Sequence, residues 1–195
     1  MKKNLAWKLY FTGGALIIAA LIVGSSSIRW PFTFSASPVT VSITNNSTPN
    51  NHEQPTIAGK PVRVIVPARN IALPVIDGYY NEKTGDWTLT NDKAQFATIT
   101  SLANNKAGST LIYGHDTDRV FKRLEQLQPG DEAQVVTSDG HVFVYQFRSS
   151  VDVKPSDISV LSYSGPAVLT LQTCSGAWSQ NRKLMTFDFV EVQAS

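Results

Sequence analysis

Three side chains of this chain stand out as able to carry out chemistry together: a thiol, an imidazole and a guanidinium. Cys174 is the only cysteine among 195 residues, and it ends the run TLQTC at positions 170–174. His115 follows a Tyr-Gly step upstream, and Arg182 lies eight positions after the cysteine. We therefore take Cys174, His115 and Arg182 as the candidate catalytic residues.

Each of these side-chain types has a distinct use in breaking an amide bond. The thiolate is the nucleophilic form of cysteine, yet an unperturbed thiol with a pKa of about 8.5 is only a few per cent ionised at neutral pH. A histidine can serve as its ion-pair partner or as the acid that protonates the leaving amine. A guanidinium, which is always charged, can stabilise the oxyanion of a tetrahedral intermediate. The three types together predict acyl transfer.

The elements that must position these residues are mostly strands. Short β-rich runs separated by turn signals follow Pro61, and they predict a small barrel or sandwich. Pro67 and Pro74 mark the first two runs as short or edge strands. The Asp139-Gly140 step predicts a hairpin between strands at 132–137 and 141–153. Further strands are expected at 62–66, 73–76, 109–113, 167–173 and 185–192. About eight strands with two small helices predict a mainly β fold, a closed antiparallel or mixed barrel.

Helices are expected in a few short segments. Thr90-Asn91-Asp92 predicts the start of a helix through Phe96, Ile99 and Leu102, whose spacing of three suits one apolar face. A second amphipathic stretch covers residues 120–127, and residues 153–165 form a loop or a short capped helix. Cys174 and His115 then each end a strand, and Arg182 begins the next one, where catalytic groups commonly lie.

The first sixty residues predict export. Residues 5–24 carry no charge except at Lys8, and the segment is long enough for a membrane-spanning helix at 1.5 Å per residue. Basic residues before this segment favour a cytoplasmic amino terminus, which places the remainder outside the cell. A cleaved signal peptide is the alternative, with small residues at 35–37 as the cleavage site. The predicted organisation is an anchor at 1–30, a flexible polar tether at 31–60 and a catalytic domain at 61–195.

Composition excludes several classes of function. The net charge is +2, but four of the 17 basic residues lie in the first thirty positions, so the remainder carries about −2 and lacks the basic face of a nucleic-acid-binding protein. A single cysteine excludes an intrachain disulfide framework and a CxxC metal site. The acidic residues show no calcium-loop spacing. We expect no metal and no cofactor.

The motifs taken together resemble the sortases, the cysteine transpeptidases of the bacterial cell surface. The likeness covers the basic amino-terminal end, one span, a polar tether, a β-domain of about 135 residues, a Gly-His step after a strand, TLxTC, and an Arg opening the final strand. It implies an eight-stranded sortase-type barrel, with Cys174 as nucleophile, His115 as acid or ion-pair partner, and Arg182 as oxyanion stabiliser. The short step between Cys174 and Arg182 leaves the subclass open.

The resemblance further implies a reaction and its partners. A sorting signal similar to LPxTG, at the carboxyl end of a surface protein, would be cut between Thr and Gly. The acyl chain would be held as a thioester and passed to an amine of a cell-wall peptide or a pilin lysine. Residues 153–165 would read the Leu-Pro part of the signal. Thr173 and Trp178 are candidate substrate-binding residues, with Trp178 either walling the acyl pocket or covering the barrel edge.

Plainer interpretations remain open at each position. Cys174 could be a small buried hydrophobe, His115 a structural turn residue, and Arg182 a partner in a surface salt bridge. Asp116 and Asp118 either tune His115 or are solvated turn carboxylates. At the level of the whole chain, the alternatives are an exported cysteine endopeptidase that releases product to water and an inactive tethered binding or assembly module.

Overall fold

The computed structural model describes residues 55–81, 83 and 86–194. The predicted anchor and the tether up to residue 54 lie outside the described residues. The strands are β1 (Ala58–Gly59), β2 (Pro61–Val66), β3 (Ile71–Gly78), β4 (Tyr80–Asn81), β5 (Asp86–Trp87), β6 (Ala94–Ala97), β7 (Ala103–Asn104), β8 (Ser109–Tyr113), β9 (Glu132–Thr137), β10 (His141–Val153), β11 (Val168–Ser175) and β12 (Asn181–Ala194). Short 3₁₀ helices cover Pro67–Arg69, Lys122–Gln126, Ser159–Ser162 and Ala177–Ser179.

Eight of these strands close into a barrel, in the order β10, β12, β11, β8, β6, β3, β2 and β9. Two neighbouring pairs run parallel, β3 with β6 and β8 with β11, and the others run antiparallel. The predicted closed, mixed barrel of eight strands is therefore confirmed. Closure leaves no free edge among these eight strands, because each has a partner on both sides.

The barrel interior is filled by aromatic and branched side chains, and β11 shows how each strand divides its residues between two faces. Leu169 and Leu171 are fully buried in the core, next to Phe143 and Phe187. Side chains alternate along a strand, so Gln172 and Cys174 lie on the opposite, outer face of β11. The candidate nucleophile therefore points away from the core.

The early prolines were expected to mark short or edge strands: β2 is short and ends just before Pro67, but neither β2 nor β3 is an edge strand, so that alternative is wrong. β3 pairs with β2 through residues 71–74 and with β6 through residues 75–78, and both β2 and β3 lie inside the closed barrel. Pro74 stands where β3 changes its partner. The N–H that proline lacks is therefore missing at the one point of the strand where the ladder is interrupted.

The helix predicted from Thr90 through Leu102 is also wrong. Residues 94–97 form β6, whose four residues are all buried between β3 and β8, and residues 98–100 form a turn. A strand covered on both faces lacks the alternation of apolar and polar residues that marks a half-buried strand, so a spacing of three cannot distinguish it from a helix. Ile99, predicted to lie on the buried face, is 62% exposed.

The remaining elements follow the sequence more closely. β9 and β10 have the predicted bounds, and the stretch at 120–127 contains the 3₁₀ helix Lys122–Gln126. The segment at 153–165 contains the 3₁₀ helix Ser159–Ser162, before which the Ser159 N–H donates to Asp157 Oδ1 at 2.9 Å. The first described strand lies slightly before the predicted boundary at 61, since β1 pairs with β7. Across the described residues, no helix has the length and apolar character needed to cross a membrane.

Candidate active site

Cys174 and Arg182 face each other across two antiparallel strands. The register of β11 and β12 pairs them directly, and side chains at paired positions have Cβ atoms about 5 Å apart on the same face. The strand continues one residue past Cys174, so the cysteine lies within β11 and not after its end. Both residues are half-buried. The thiol and the guanidinium therefore share the outer face of this corner of the barrel.

His115 reaches the same corner from the strand on the other side of β11. β8 runs parallel to β11 with Tyr113 paired to Gln172, and the Gly114 N–H extends the ladder by donating to the Gln172 carbonyl oxygen at 3.0 Å. His115 follows one residue beyond this bond, so it leaves β8 at the end of the barrel that carries Cys174, although it is not among the residues that line the cavity described below. Neither the imidazole nor the thiol makes a side-chain hydrogen bond with any described residue, so both are available to a bound molecule.

A lack of space for a side chain at position 114 explains why a glycine precedes the histidine. A Cβ at this position would lie 2.6 Å from Cγ1 of Val120 and 3.2 Å from Cδ2 of Phe121, both buried side chains. The Phe121 N–H donates to the His115 carbonyl oxygen at 3.1 Å, which holds the turn after the histidine against β8. Any larger residue at 114 would push this turn, and the imidazole with it, away from Cys174.

Arg182 is anchored to the turn that separates it from the cysteine. Its Nη1 donates to the carbonyl oxygens of Ser179 and Asn181, each at 3.0 Å. It forms no ion pair with a described carboxylate, so the surface salt bridge considered for it is absent from this part of the chain. Guanidinium groups have five N–H donors, and those outside Nη1 are left for a ligand.

A cavity of about 560 Å³ opens on the outer face of β8 and β11. Its floor includes Leu111, Tyr113, Gln172 and Cys174, and Arg182 lies at the same end as the cysteine. A pocket of this size, mostly apolar with a few polar groups, is typical of a site for a small molecule or a short peptide. The thiol therefore borders a cavity, which favours a reactive role over that of a buried hydrophobe.

Aromatic residues and a loop form the walls of this cavity. The Trp87 ring meets the Tyr113 ring edge to face at 5.2 Å, and the hydroxyls of Thr88 and Tyr113 are 3.3 Å apart. Burial raises the pKa of Tyr113, so its hydroxyl stays protonated and can donate a hydrogen bond. The opposite wall is formed by residues 155–158, 160 and 161, within the segment predicted to read the substrate.

The two candidate substrate-binding residues have different locations. Thr173 borders the cavity, but its hydroxyl donates to the Gly114 carbonyl oxygen at 2.9 Å in a buried contact, so it ties β11 to the residue before His115. Trp178 is 97% exposed and is not among the residues that line the cavity. In this structure its side chain neither walls the pocket nor covers the barrel edge.

The carboxylates near His115 do not contact its ring through a hydrogen bond. Asp118 lies 3.8 Å from the Lys122 ammonium in an exposed pair, and Asp116 has one buried oxygen without a partner among the described residues. No group of three or more His, Cys, Asp or Glu side chains in the described part of the chain is arranged to hold a metal ion. Cys174, His115 and Arg182 are the groups suited to acyl transfer at this corner.

Comparison with known proteins assigns the family. The family model of the sortase domain matches residues 64–187, which include all three candidate catalytic residues. The chain belongs to the sortase family. Members of this family are generally cysteine transpeptidases, and the closed barrel is the sortase fold. A search of curated protein sequences finds no match.

Solved sortase structures of several classes share this fold. Sortase E1 from Streptomyces coelicolor, solved with a tripeptide in its active site, is 24% identical with a TM-score of 0.57, over 70% of this chain and 91% of that one. Sortase C-1 from Actinomyces oris is 25% identical with a TM-score of 0.55, covering 68% and 76%. Listeria monocytogenes sortase A is 17% identical with a TM-score of 0.58, covering 71% and 92%.

Proposed function

We propose that this sortase-family protein cleaves an LPxTG-like sorting signal through a thioester on Cys174 and transfers the acyl chain to an amine. The observation that carries the proposal is the meeting of three strands at one end of the cavity. The register pairs Arg182 of β12 with Cys174 of β11, and β8, which runs parallel to β11, ends two residues before His115 at the same end of the barrel. These positions support a nucleophile, an oxyanion stabiliser and a proton donor that act together.

The first half of the reaction forms the thioester. The Cys174 sulfur attacks the carbonyl carbon of the substrate threonine, and the guanidinium of Arg182 stabilises the resulting oxyanion through its free N–H donors. As the carbon–nitrogen bond breaks, the leaving glycine amine takes a proton from His115. The products are an acyl chain linked to sulfur and a free amine.

The second half reverses these roles with a new amine. The incoming amine loses a proton to His115 and attacks the thioester carbon, Arg182 again stabilises the oxyanion, and the carbon–sulfur bond breaks. The sulfur leaves as the thiolate, so the enzyme returns to its starting state. Water in place of the amine would give hydrolysis, which is the reaction of the alternative endopeptidase.

The cavity supports an extended peptide as the substrate. Its floor and walls are largely apolar, from Leu111 and Trp87 on one side to Val160 and Leu161 on the other, and they suit the Leu-Pro portion of a signal. Cys174 lies at one end, where the scissile bond would be held. The side chain of Trp178 is almost fully exposed, and we propose that it closes over bound substrate.

We further propose that residues 1–30 anchor the protein in the cell membrane with the catalytic domain outside. Its partners would then be surface proteins with a carboxyl-terminal sorting signal and an amine acceptor, either a cell-wall peptide or a pilin lysine. The apolar segment at 5–24 and the basic residues before it support this location.

The test is cleavage of quenched LPxTG-type peptides by the full chain, with and without triglycine as the acceptor. We expect triglycine to speed turnover and to appear in the ligated product. Cys174→Ala should abolish turnover, whereas His115→Ala and Arg182→Ala should each lower kcat by about a hundredfold or more. Matched controls are His141→Ala and Arg148→Ala, which remove a half-buried histidine and an exposed arginine of β10.

Other outcomes would contradict the proposal. Cleavage at the same rate without any ligated product would identify the endopeptidase. An absence of cleavage across a panel that varies each position of the pentapeptide, with Cys174 unreactive towards iodoacetamide, would favour the inactive binding or assembly module.

A further inference from the structure

A polar network lies at the same end of β10, β11 and β12 as the candidate catalytic residues. The Asp152 carboxylate accepts from Lys183 Nζ at 2.8 Å through Oδ2 and from Ser175 Oγ at 2.5 Å through Oδ1. Lys154 Nζ donates to Asn181 Oδ1 at 3.2 Å beside it. One carboxylate therefore links a residue of β11 to a residue of β12 from a third strand.

The network and the reactive groups occupy opposite faces of the strands. Ser175 directly follows Cys174, and Lys183 directly follows Arg182. Because side chains alternate along a strand, Ser175 and Lys183 point away from the face that carries the thiol and the guanidinium. Asp152 touches neither reactive group, yet it holds the residue next to each.

This end of β11 has few other supports. The backbone ladder between β8 and β11 ends with the Gly114 N–H bonded to the Gln172 carbonyl oxygen, so beyond that point the backbone of β11 pairs with β12 alone, and the Thr173 hydroxyl bonded to the Gly114 carbonyl oxygen is the remaining link on the β8 side. Strand ends paired on one side open more easily than strand centres. The Asp152 carboxylate lies across β12 from this weak point and connects it to β10.

The carboxylate is in the charged form that such a connection needs. Hydrogen bonds from Lys183 and then from Ser175 hold the pKa of Asp152 below its usual value. Ser175 is buried, and the Lys183 side chain is more covered than that of Asp152. A charge-assisted bond to a buried hydroxyl is directional, so it restricts the position of Ser175.

We propose that Asp152 is a positioning residue that sets the separation of Cys174 and Arg182 by holding Ser175 and Lys183 from the opposite face. This role rests on the proposed function, because it concerns the same pair of reactive groups. Catalysis of this kind is sensitive to small displacements, and a shift of about 1 Å can cost a hundredfold in rate. Loss of the carboxylate would therefore reduce turnover without reducing substrate binding.

The chain offers a matched control on the same two strands. Asp188 of β12 pairs with Arg148 of β10 at 2.7 Å, and its side chain is 50% exposed against 47% for Asp152. Removal of either carboxylate breaks one exposed ion pair between β10 and β12. The two ion pairs differ in location. Only Asp152 forms hydrogen bonds to the residues that directly follow the candidate catalytic residues in the sequence.

The experiment compares Asp152→Ala, Asp152→Asn and Asp188→Ala in the full chain. We expect Asp152→Ala to lower kcat about tenfold relative to Asp188→Ala with KM within twofold, at similar melting temperatures. Asp152→Asn, which keeps an acceptor for Ser175, should recover part of the loss. The double variant of Asp152→Ala and Ser175→Ala should turn over no more slowly than Asp152→Ala alone, because the two residues act as one unit.

A second measurement separates this proposal from the proposed function. Cys174 is the only cysteine, so its alkylation by iodoacetamide reports on its surroundings without any peptide substrate. Asp152→Ala should raise the alkylation rate about two- to fivefold, because the strand end loosens and the unpaired Lys183 ammonium favours the thiolate. Turnover decides the question if the wild type is active, and alkylation decides it if no peptide is cleaved. Equal values for Asp152→Ala and Asp188→Ala in the deciding measurement would overturn the proposal.

Discussion

Two short connections between antiparallel strands solve the same geometric problem with different residues. The β9–β10 hairpin at 138–140 places Gly140 in the left-handed region with φ of +88°, and the Gly140 N–H bonds to the Thr137 carbonyl oxygen at 3.1 Å. The β11–β12 turn at 176–180 has Gly176 at φ of +78°, but it also places Trp178 at +64° and Ser179 at +57°. The turn beside the candidate nucleophile is the strained one.

The difference shows where this protein tolerates strain. A left-handed conformation costs an L-residue other than glycine about 1 kcal/mol, and it is rare for a bulky aromatic residue. The β11–β12 turn keeps its shape because Arg182 bonds to the Ser179 carbonyl oxygen and the Ser179 N–H bonds to that of Gly176, at 3.2 Å. Such strain tends to cluster at functional sites, whereas the hairpin, which only reverses the chain, has glycine at its positive-φ position.

Replacing each of the two turn glycines by alanine should give the largest difference between the two turns. Gly176 has φ of +78° and ψ of +167°, a region almost confined to glycine, so Gly176→Ala should cost about 2 to 3 kcal/mol of unfolding free energy. Turnover should fall about tenfold or more, since the change displaces Ser175 and Cys174. Gly140→Ala should cost about 1 kcal/mol and leave turnover unchanged.

Urea unfolding and peptide turnover, measured on both alanine variants, check this expectation. An equal loss of turnover in the two variants would show that the turns do not differ in function. A Gly176→Ala variant as stable as the wild type would contradict the strained geometry itself.

Replacement of Trp178 should separate strain from substrate contact. Asparagine tolerates the left-handed conformation, and the tryptophan side chain is 97% exposed, so Trp178→Asn should gain about 0.5 kcal/mol in unfolding free energy. We expect KM to rise severalfold if the indole closes over substrate as proposed. Ser138→Asn in the hairpin is the control and should change neither quantity, because residue 138 does not have a positive φ. A loss of stability on Trp178→Asn would count against strain in this turn.

The smallest expected effect is on the stability of the folded protein at low pH. Hydrogen bonds, from Thr137 foremost, lower the pKa of Asp139 in the hairpin, and the bond from Lys183 does the same for Asp152 near the catalytic end. A carboxylate with a lowered folded-state pKa stabilises the fold above its unfolded-state pKa of about 3.9, and this contribution is lost as pH falls through the folded-state value. Asp139→Asn and Asp152→Asn should each flatten the loss of stability below about pH 4.

The midpoints of urea unfolding at pH 7 and pH 3.5 measure this loss of stability in acid. Only Asp152→Asn is expected to alter turnover at neutral pH as well. A steeper acid loss in either variant would contradict the direction of these pKa shifts.

Sequence reasoning predicted the barrel because its strands and turns leave local signals, and the candidate catalytic residues rest on a local motif as well. The Asp139-Gly140 step and the alternating runs around it are short-range patterns, and β9 and β10 have their predicted bounds. The helix expected through Phe96 failed because β6 is buried on both faces, which removes the alternation that marks a strand. The hydrogen bond from Thr173 to Gly114 depends on the register of β11 with β8, a contact between distant parts of the sequence.

The walls of the cavity were only partly predictable. Residues 153–165 were expected to lie over the substrate, and six of them line the cavity. Tyr80, Trp87 and Tyr113 were not singled out, because their meeting depends on a hairpin of β4 and β5 that packs against the outer face of β8. The Tyr-Gly-His step was the available signal for Tyr113, and it was used for the histidine alone. The exposure of Trp178 depends on a backbone conformation that aromatic residues rarely adopt.

The parallel pairing of β8 with β11 has a consequence for how the proposed catalytic site is assembled. The contact that brings His115 towards Cys174 is a hydrogen bond between Thr173 and Gly114, which are 59 residues apart in the sequence. Long-range parallel contacts form late during folding, because the intervening loop must be closed first. A chain that is still unfolded would therefore carry the Cys174 thiol without the neighbouring groups of the proposed site. Any activity of the proposed site would therefore appear only once the barrel has closed. The onset of activity would report on the final stage of folding.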